Sequence, residues 1–324
     1  MNIDNVFFFK KIVDNNYPDE NISAVQIQPI VIELEKLIQE KSDPDFEEIL
    51  ISCFIPDLYS GMGKREKLFT KLTELMVGEW WRRIGGTYRL LTKKSGTEDV
   101  DLMDGNRFIV CDAKVFRLGR SQKAPNVKDF LKIGSVRSWI EKLSEASDGK
   151  KQILGGLVTY SSLHEWEKDS EVYEECTNPD TPVVMLPYEV LALLLKYKNR
   201  FSLQELEQIW YYSSNKVKPS RVKSNYWEYI KRNICKIIKI TAKEYDLEIR
   251  NYHQRILKAT AEYRKIIEQA IHEKEKSIKS ELNKFNSRSE LEKHAINMIV
   301  NRDNAEALDY LKHIEDFRKY NDVD

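Results

Sequence analysis

The stretch FIVCDAKVFRLGR, Phe108 to Arg120, joins a strand-like apolar run to closely spaced charges. Its first four residues are typical of a buried β-strand. Period-two alternation then places Asp112 and Lys114 on one face of the strand and Ala113 on the other. Burying an unpaired charge is costly, so these two charges need a partner or a ligand. The stretch therefore predicts a chemical site where the strand ends.

Short segments around this stretch predict a sheet in the middle of the chain. They are apolar or alternating and are bounded by Gly, Asn, Asp or Pro, as strands commonly are. The predicted strands are Glu98 to Met103, Phe108 to Phe116, Gln152 to Tyr160 and Pro182 to Leu186. Helical periodicity predicts helices at Lys64 to Ile84, Val127 to Leu143 and Tyr188 to Tyr197. This order of elements indicates a mixed α/β core.

The two ends of the chain are predicted to be helical. All twelve glycines lie at or before Gly156, and no proline follows Pro219, so the C-terminal region lacks both helix breakers. Ser202-Leu203-Gln204-Glu205 has the pattern of a helix capping box. We predict a helical N-terminal region at residues 1–60, an α/β core at 61–200 that contains the predicted chemical site, and a helical C-terminal region at 201–324.

Composition and motifs exclude several classes of protein. Lys plus Arg and Asp plus Glu both number 52, so net charge gives no argument for a nucleic-acid or membrane partner. The apolar runs are too short to span a bilayer. The four cysteines lack zinc-finger spacing and fit a reducing cytoplasm. The short apolar runs and the cysteine spacing lead us to expect a soluble, cytoplasmic protein. Phosphate-loop and HExxH motifs are absent, so we expect neither a nucleotide cofactor nor a histidine-based metal site.

The remaining candidates for a chemical site are carboxylate and lysine side chains. A hairpin through Asp104-Gly105-Asn106 would bring Asp99 or Asp101 to Asp112. Two adjacent carboxylates repel each other unless a hard cation such as Mg²⁺ lies between them. Lys114 would then stabilise a hydroxide formed from metal-bound water beside a scissile phosphate. This is the arrangement of a PD-(D/E)xK nuclease.

Basic residues follow the predicted site. Between Cys111 and Lys151 there are ten Lys or Arg residues and five Asp or Glu residues. Positive side chains neutralise DNA phosphates, and Arg also reads guanine edges in the major groove. This local excess of charge predicts a double-stranded DNA partner in a protein whose net charge is zero.

At these residues the chain resembles the HindIII family of type II restriction endonucleases. The matching stretches are EKLFTK (66–71), EDV (98–100), VCDAKVFRLGR (110–120), KDF (128–130), VVMLPYEVLALLL (183–195) and the region around Ile209-Trp210. The resemblance implies an α/β restriction-endonuclease-like core, with a mixed central sheet flanked by helices. It also implies a Mg²⁺-dependent homodimer that cuts both strands at a short palindrome, AAGCTT for the type enzyme.

The resemblance also assigns roles to residues. Asp99 matches the family's first acid, and Asp112 and Lys114 match the rest of its catalytic set. Asp99, Asp112 and the Ala113 carbonyl are expected to hold Mg²⁺, while Lys114 positions the attacking water. Arg117 and Arg120 match the basic run after the catalytic triplet. The expected DNA-binding residues are Arg117, Arg120, Lys123, Lys128 and Lys132.

Several alternatives stay open from the sequence. Asp101 competes with Asp99 as the first metal ligand. Glu66, Glu74 and Glu79 compete as a helix glutamate that assists in this superfamily, and the Pro-Asp pair at Pro56-Asp57 is assigned to a turn. The function also has alternatives: a PD-(D/E)xK nuclease of DNA repair or recombination, or a non-catalytic helical DNA-binding protein.

Overall fold

The structure is a computed structural model. It describes residues 2–16, 27–56, 63–91, 98–115, 117–118, 133–147, 150–161, 176, 180–211 and 222–282, and the single positions 296, 300, 304, 307, 308 and 311.

A mixed five-stranded sheet lies at the centre of the described part of the chain. Its strands, in spatial order, are β2 (Thr87–Leu90), β3 (Val100–Asp104), β4 (Arg107–Ala113), β6 (Gln152–Tyr160) and β7 (Val183–Pro187). The pairs β2–β3 and β3–β4 are antiparallel, whereas β4–β6 and β6–β7 are parallel. The predicted mixed α/β core is confirmed.

The hairpin β3–β4 forms as its sequence predicts. Gly105 has a φ of +61°, a conformation that glycine adopts without strain, and it allows the tight turn between Asp104 and Arg107. The side chains from Phe108 to Cys111 are buried between the neighbouring strands and the helices. Val100 lies opposite Cys111, so Asp99 directly precedes β3 at the end of the hairpin where Asp112 is located.

Helices precede, flank and follow the sheet. The helices before and within the core are α1 (Ile3–Val6), α2 (Phe8–Asn16), α3 (Ile27–Gln39), α4 (Asp43–Ile51), α5 (Gly63–Arg83), α6 (Ile133–Ala146) and α7 (Tyr188–Lys196). The later helices are α8 (Leu203–Leu206), α9 (Val222–Ile238) and α10 (Ala242–Leu282). Two 3₁₀ turns, Lys198–Arg200 and Glu207–Tyr211, flank α8. Helix α5 packs on β2, β3 and β4, and α6 packs on β4, β6 and β7.

Most predicted elements are confirmed, with shifted ends. The strand Gln152–Tyr160 has the predicted bounds, whereas β3 begins at Val100 rather than Glu98. The predicted helix at 127–143 is described from Ile133 onward. The capping box at Ser202 and Glu205 forms, although it opens only the four-residue helix α8. The proposed division into three regions stays a prediction.

Two strand features differ from the sequence prediction. The sequence does not predict β2, because TYRL has only four residues and is a partly exposed edge segment. Pro56 was assigned to a turn, and this is wrong: Ile55–Pro56 form β1, which pairs in parallel with β5 (Arg117–Leu118). The pairing partner is distant in sequence, so local turn statistics could not reveal it. Asp57 lies outside the described residues.

The hydrophobic core is continuous with the helices at both ends of the chain, and includes Val13 of α2 and Ile256 of α10. Trp80 of α5 is fully buried, and its Nε1 donates a 2.8 Å hydrogen bond to the Leu191 carbonyl of α7. The four cysteines are free and buried. Within the described residues, no helix has the length and apolar character needed to cross a membrane.

Candidate active site

The end of β4 brings Asp112 and Lys114 into contact. Lys114 Nζ lies 2.7 Å from Asp112 Oδ1, and the Asp112 side chain is only 2% exposed. The contact fits the predicted alternation, which puts both side chains on one face. The Lys114 amide also donates a 2.8 Å hydrogen bond to the Thr159 carbonyl of β6. The predicted lysine and acid therefore form a largely buried ion pair where the strand ends.

Asp99 joins this pair from the neighbouring strand. Its Oδ2 accepts a 2.9 Å hydrogen bond from the Ala113 amide, and its own amide donates a 3.0 Å hydrogen bond to the Cys111 carbonyl. The hairpin therefore brings together Asp99, Asp112, Ala113 and Lys114, all of which were predicted for the site.

The carboxyl groups of this site crowd one another. Burial raises the pKa of Asp99 to about 8, and the negative charges of Glu74 and Asp112 add to the shift. The positive charge of Lys114 opposes this shift. A hard cation would relieve this repulsion and replace the bound proton.

Glu74 of α5 is the helix glutamate that the structure brings to the site. Burial raises its pKa to about 7; Lys71 opposes this shift, and the charge of Asp112 adds to it. Lys71 Nζ contacts Glu74 Oε2 and donates a 3.1 Å hydrogen bond to the Leu91 carbonyl. This electrostatic interaction with Asp112 distinguishes Glu74 from Glu66 and Glu79, the other two candidate helix glutamates.

The other two glutamates have different surroundings. Buried Glu79 accepts hydrogen bonds of 2.6 to 2.8 Å from Arg82 and Arg83. Arg83 also donates to Asp43, which ties α5 to α4. Glu66 lies in the first turn of α5 and is half-buried. Glu79 therefore belongs to an ion-pair network with the arginines of its own helix.

Lys114 is held in its charged form. Burial lowers its pKa, but the adjacent Asp112 carboxylate outweighs that effect, and the net pKa lies above the ordinary value. An ammonium group at neutral pH donates hydrogen bonds and does not accept protons. The geometry therefore suits stabilisation of a negative oxygen better than general-base catalysis.

Asp101, the competing first acid, is already paired. It is fully buried in β3, and its Oδ2 accepts hydrogen bonds from the Arg89 guanidinium of β2. The pKa of the neighbouring Glu98 is raised by burial and by the charge of Asp101. The ion pair with Arg89 distinguishes Asp101 from Asp99, which faces Asp112.

The residues at the end of the hairpin fit a divalent cation. Asp112 Oδ2 is buried and has no hydrogen-bond partner among the described residues. Carboxylate and carbonyl oxygens are the ligands that Mg²⁺ prefers, usually with several waters retained. With two carboxylates and one carbonyl, the site therefore fits a cation that keeps several waters. In the described part of the chain, no group of three or more His, Cys, Asp or Glu side chains is arranged to hold a metal ion.

The predicted DNA-binding residues are mostly beyond structural description. Arg120, Lys123, Lys128 and Lys132 lie outside the described residues. Arg117 is described as part of β5, where it pairs with Ile55. The proposed DNA contacts of these five residues stay predictions.

Comparison with known sequences decides the family. The sequence profile described as HindIII restriction endonuclease matches residues 23–294, which is most of the chain. The chain belongs to the HindIII restriction endonuclease family. Enzymes of this family are site-specific nucleases that bind DNA and generally use a divalent metal ion. Family membership and the mixed sheet confirm the predicted restriction-endonuclease-like fold class.

Two further comparisons accompany the family match. Among solved structures, the chain is similar to the small subunit R.BspD6I2 of the heterodimeric restriction endonuclease R.BspD6I. The identity is 10%, the match covers 64% of this chain and 98% of that chain, and the TM-score is 0.34. In the comparison with curated proteins, nothing matches the chain.

The HindIII-family match contains every residue of the site described above. Two of its polar neighbours, Lys71 and Arg89, were not predicted from the sequence. Lys71 carried a detectable signal, because it lies three residues before Glu74 on one helix face and inside the EKLFTK stretch. Arg89 carried none, because its role depends on pairing between β2 and β3.

Proposed function

We propose that this protein is a type II restriction endonuclease that makes Mg²⁺-dependent double-strand cuts at a short palindromic DNA site. One observation carries the proposal: the contact between Asp112 and Lys114 at the end of β4, with Asp99 on the neighbouring strand. Family membership supports the choice of DNA as substrate. Four free, buried cysteines are compatible with work in a reducing cytoplasm.

Asp99, Asp112 and the Ala113 carbonyl would hold the Mg²⁺ ion. When bound, the ion lowers the pKa of a coordinated water and stabilises negative charge on the scissile phosphate. The Lys114 ammonium would orient the attacking water by hydrogen bonding and stabilise the negative oxygen that develops. Glu74 would add a negative group near Asp112, and Lys71 would fix the direction of the Glu74 carboxylate.

The basic segment after the catalytic triplet would lie on DNA. Arg117, Arg120, Lys123, Lys128 and Lys132 supply positive charge directly after the catalytic strand, where phosphates of the substrate would have to pass. A palindrome presents the same chemical face to each strand under a two-fold axis, so we propose a homodimer with one site per strand. By family resemblance, the target is similar to AAGCTT.

A plasmid digest tests the proposed activity. Wild-type protein is expected to give discrete bands from one sequenced plasmid with Mg²⁺ and none with EDTA. Mapping the ends gives the target. Ends at scattered positions or at structural junctions would favour a repair or recombination nuclease. Absence of cutting with Mg²⁺ at every site, AAGCTT included, would favour a DNA-binding protein without catalytic activity.

Substitutions test the catalytic residues. Asp112→Asn and Lys114→Ala are each expected to lower the cleavage rate at least about 100-fold, because each removes a group that acts on the reacting phosphate or water. DNA binding in gel-shift assays should change little. Cleavage by either variant at the wild-type rate would contradict the assignment.

A matched pair of substitutions separates Asp99 from Asp101. Asp99→Asn should lower cleavage about as strongly as Asp112→Asn, since both acids would hold the ion. Asp101→Asn should keep cleavage within about tenfold of wild type, because Asp101 is paired with Arg89 away from the reacting groups. The reverse result would make Asp101 the first acid.

A further inference from the structure

Tyr188 reaches the catalytic strand from another part of the fold. It is the first residue of α7 and is fully buried. Its hydroxyl donates a 2.7 Å hydrogen bond to the carbonyl oxygen of Lys114. The residue therefore contacts the backbone of Lys114, 74 positions earlier in the chain.

Hydrogen bonds hold the Lys114 residue on both sides of its α-carbon. Its amide donates a 2.8 Å hydrogen bond to the Thr159 carbonyl, and its carbonyl accepts the hydrogen bond from Tyr188. Strand β4 ends at Ala113, so Lys114 is the first residue after the strand. The hydrogen bonds of its amide and carbonyl still fix its backbone there.

The Tyr188 hydroxyl is a dependable donor. Burial raises its pKa well above the ordinary value, so the hydroxyl stays protonated at every pH at which the enzyme would work. The side chain has few rotatable bonds, and it starts from a helix packed in the core. It therefore holds the Lys114 carbonyl at a fixed place with little conformational freedom.

We propose that Tyr188 is a positioning residue for the reaction: its buried hydroxyl fixes the backbone of Lys114, and thereby the direction in which the lysine ammonium enters the site. This inference rests on the proposed nuclease function. The ammonium lies 2.7 Å from Asp112, and a fixed backbone limits the directions from which the flexible lysine side chain can reach that contact. A displacement of about 1 Å at a reacting group costs on the order of 100-fold in rate.

Tyr188→Phe removes the hydroxyl and leaves the ring and its packing. The chain offers a matched control in Tyr226, a second buried tyrosine whose hydroxyl accepts a 2.7 Å hydrogen bond from the Met185 amide. Tyr226→Phe also leaves one buried backbone group without its partner, but on β7, two strands away from Lys114. The two variants should therefore lose similar stability and differ in catalysis.

The measurements are single-turnover cleavage of a plasmid with saturating Mg²⁺, DNA affinity without divalent metal, and urea denaturation. Tyr188→Phe should lower the cleavage rate about 10- to 100-fold. Its DNA affinity should stay within about twofold of wild type. Tyr226→Phe should cut within about twofold of wild type.

Equal rates for the two variants, after correction for the folded fraction, would overturn the inference. If Tyr188→Phe does not fold in dilute buffer, wild type and both variants are assayed in trimethylamine N-oxide, an osmolyte that stabilises folded states. The same fall in cleavage rate relative to Tyr226→Phe is expected there, and equal rates would count against the inference. The proposed function fails separately, through a wild-type protein that does not cut DNA.

Discussion

Single carboxyl groups set the chemistry of this site. Asp99 has a pKa of about 8 and Glu74 a pKa of about 7, both raised first by burial. At neutral pH the metal-free site therefore binds protons that the unfolded chain would have released. The bound protons reduce the repulsion between the crowded carboxyl groups until a cation replaces them.

This crowding predicts a pH dependence of stability. Acids whose folded pKa is raised contribute stability that is fully present below the unfolded value near 4 and is lost as pH rises through about 7 to 8. In EDTA, the free energy of unfolding from urea titrations should therefore fall from pH 5.5 to pH 8.5. The slope for each proton is at most about 1.4 kcal/mol per pH unit.

Glu74→Gln provides the control for that prediction, because the amide mimics the protonated acid. The stability of this variant relative to wild type should increase with pH in EDTA. Mg²⁺ binds the ionised acids, so its stabilising effect on wild type should be larger at pH 8.5 than at pH 6. A relative stability that is constant with pH would mean that Glu74 does not titrate in this range.

At the level of elements, one glycine fixes the path of β6. Gly155 has a φ of +146°, and a Cβ there would lie 2.3 Å from the Pro182 carbonyl oxygen. It pairs with Ile109 where the β4–β6 register shifts, so the strand can follow β4 past an irregularity. The catalytic strand depends on this neighbour for its alignment.

Gly155→Ala is therefore expected to destabilise the protein by roughly 2 kcal/mol or more, because of the strained φ and the backbone clash. Gly134→Ala is the control: Gly134 lies in α6 with open space where a Cβ would be, and alanine there should be neutral or stabilising by up to about 1 kcal/mol. Urea denaturation of both variants measures the difference. A neutral Gly155→Ala would show that β6 follows another path.

The sequence predicts elements better where the signal is local. The apolar run from Phe108, the turn at Gly105 and the period of α5 are read from neighbouring residues, and these features place Asp112 and Lys114. β2 and the β1–β5 ladder depend on partners far along the chain, so local patterns do not contain them. For the same reason, the sequence does not distinguish Asp99 from Asp101. The structure does, because Arg89 of β2 pairs with Asp101 of the adjacent strand β3.

At the scale of the whole molecule, helix α10 is attached to the core by a buried polar pair. His253 Nε2 lies 3.1 Å from Glu189 Oε1, and both side chains are buried. Arg255, two residues further on, contacts Glu47 of α4. The 41-residue helix is therefore fixed to both α7 and α4 through its first half.

His253→Ala should lower the free energy of unfolding by roughly 3 kcal/mol, since it removes one partner of a buried pair. His272 lies on the same helix with a 63% exposed side chain, and His272→Ala should change stability by less than about 0.5 kcal/mol. Thermal and urea unfolding compare the two. Equal effects would show that α10 does not depend on the buried pair.

Tyr188 and Glu189 are neighbours in the first turn of α7, yet they hold different parts of the protein. Tyr188 bonds to the peptide of Lys114, and Glu189 pairs with His253 of α10. Adjacent residues of one helix are joined by a single peptide unit, so a displacement of α10 at His253 would reach Lys114 through the first turn of α7. The long helix and the lysine thus have one of their attachments in common.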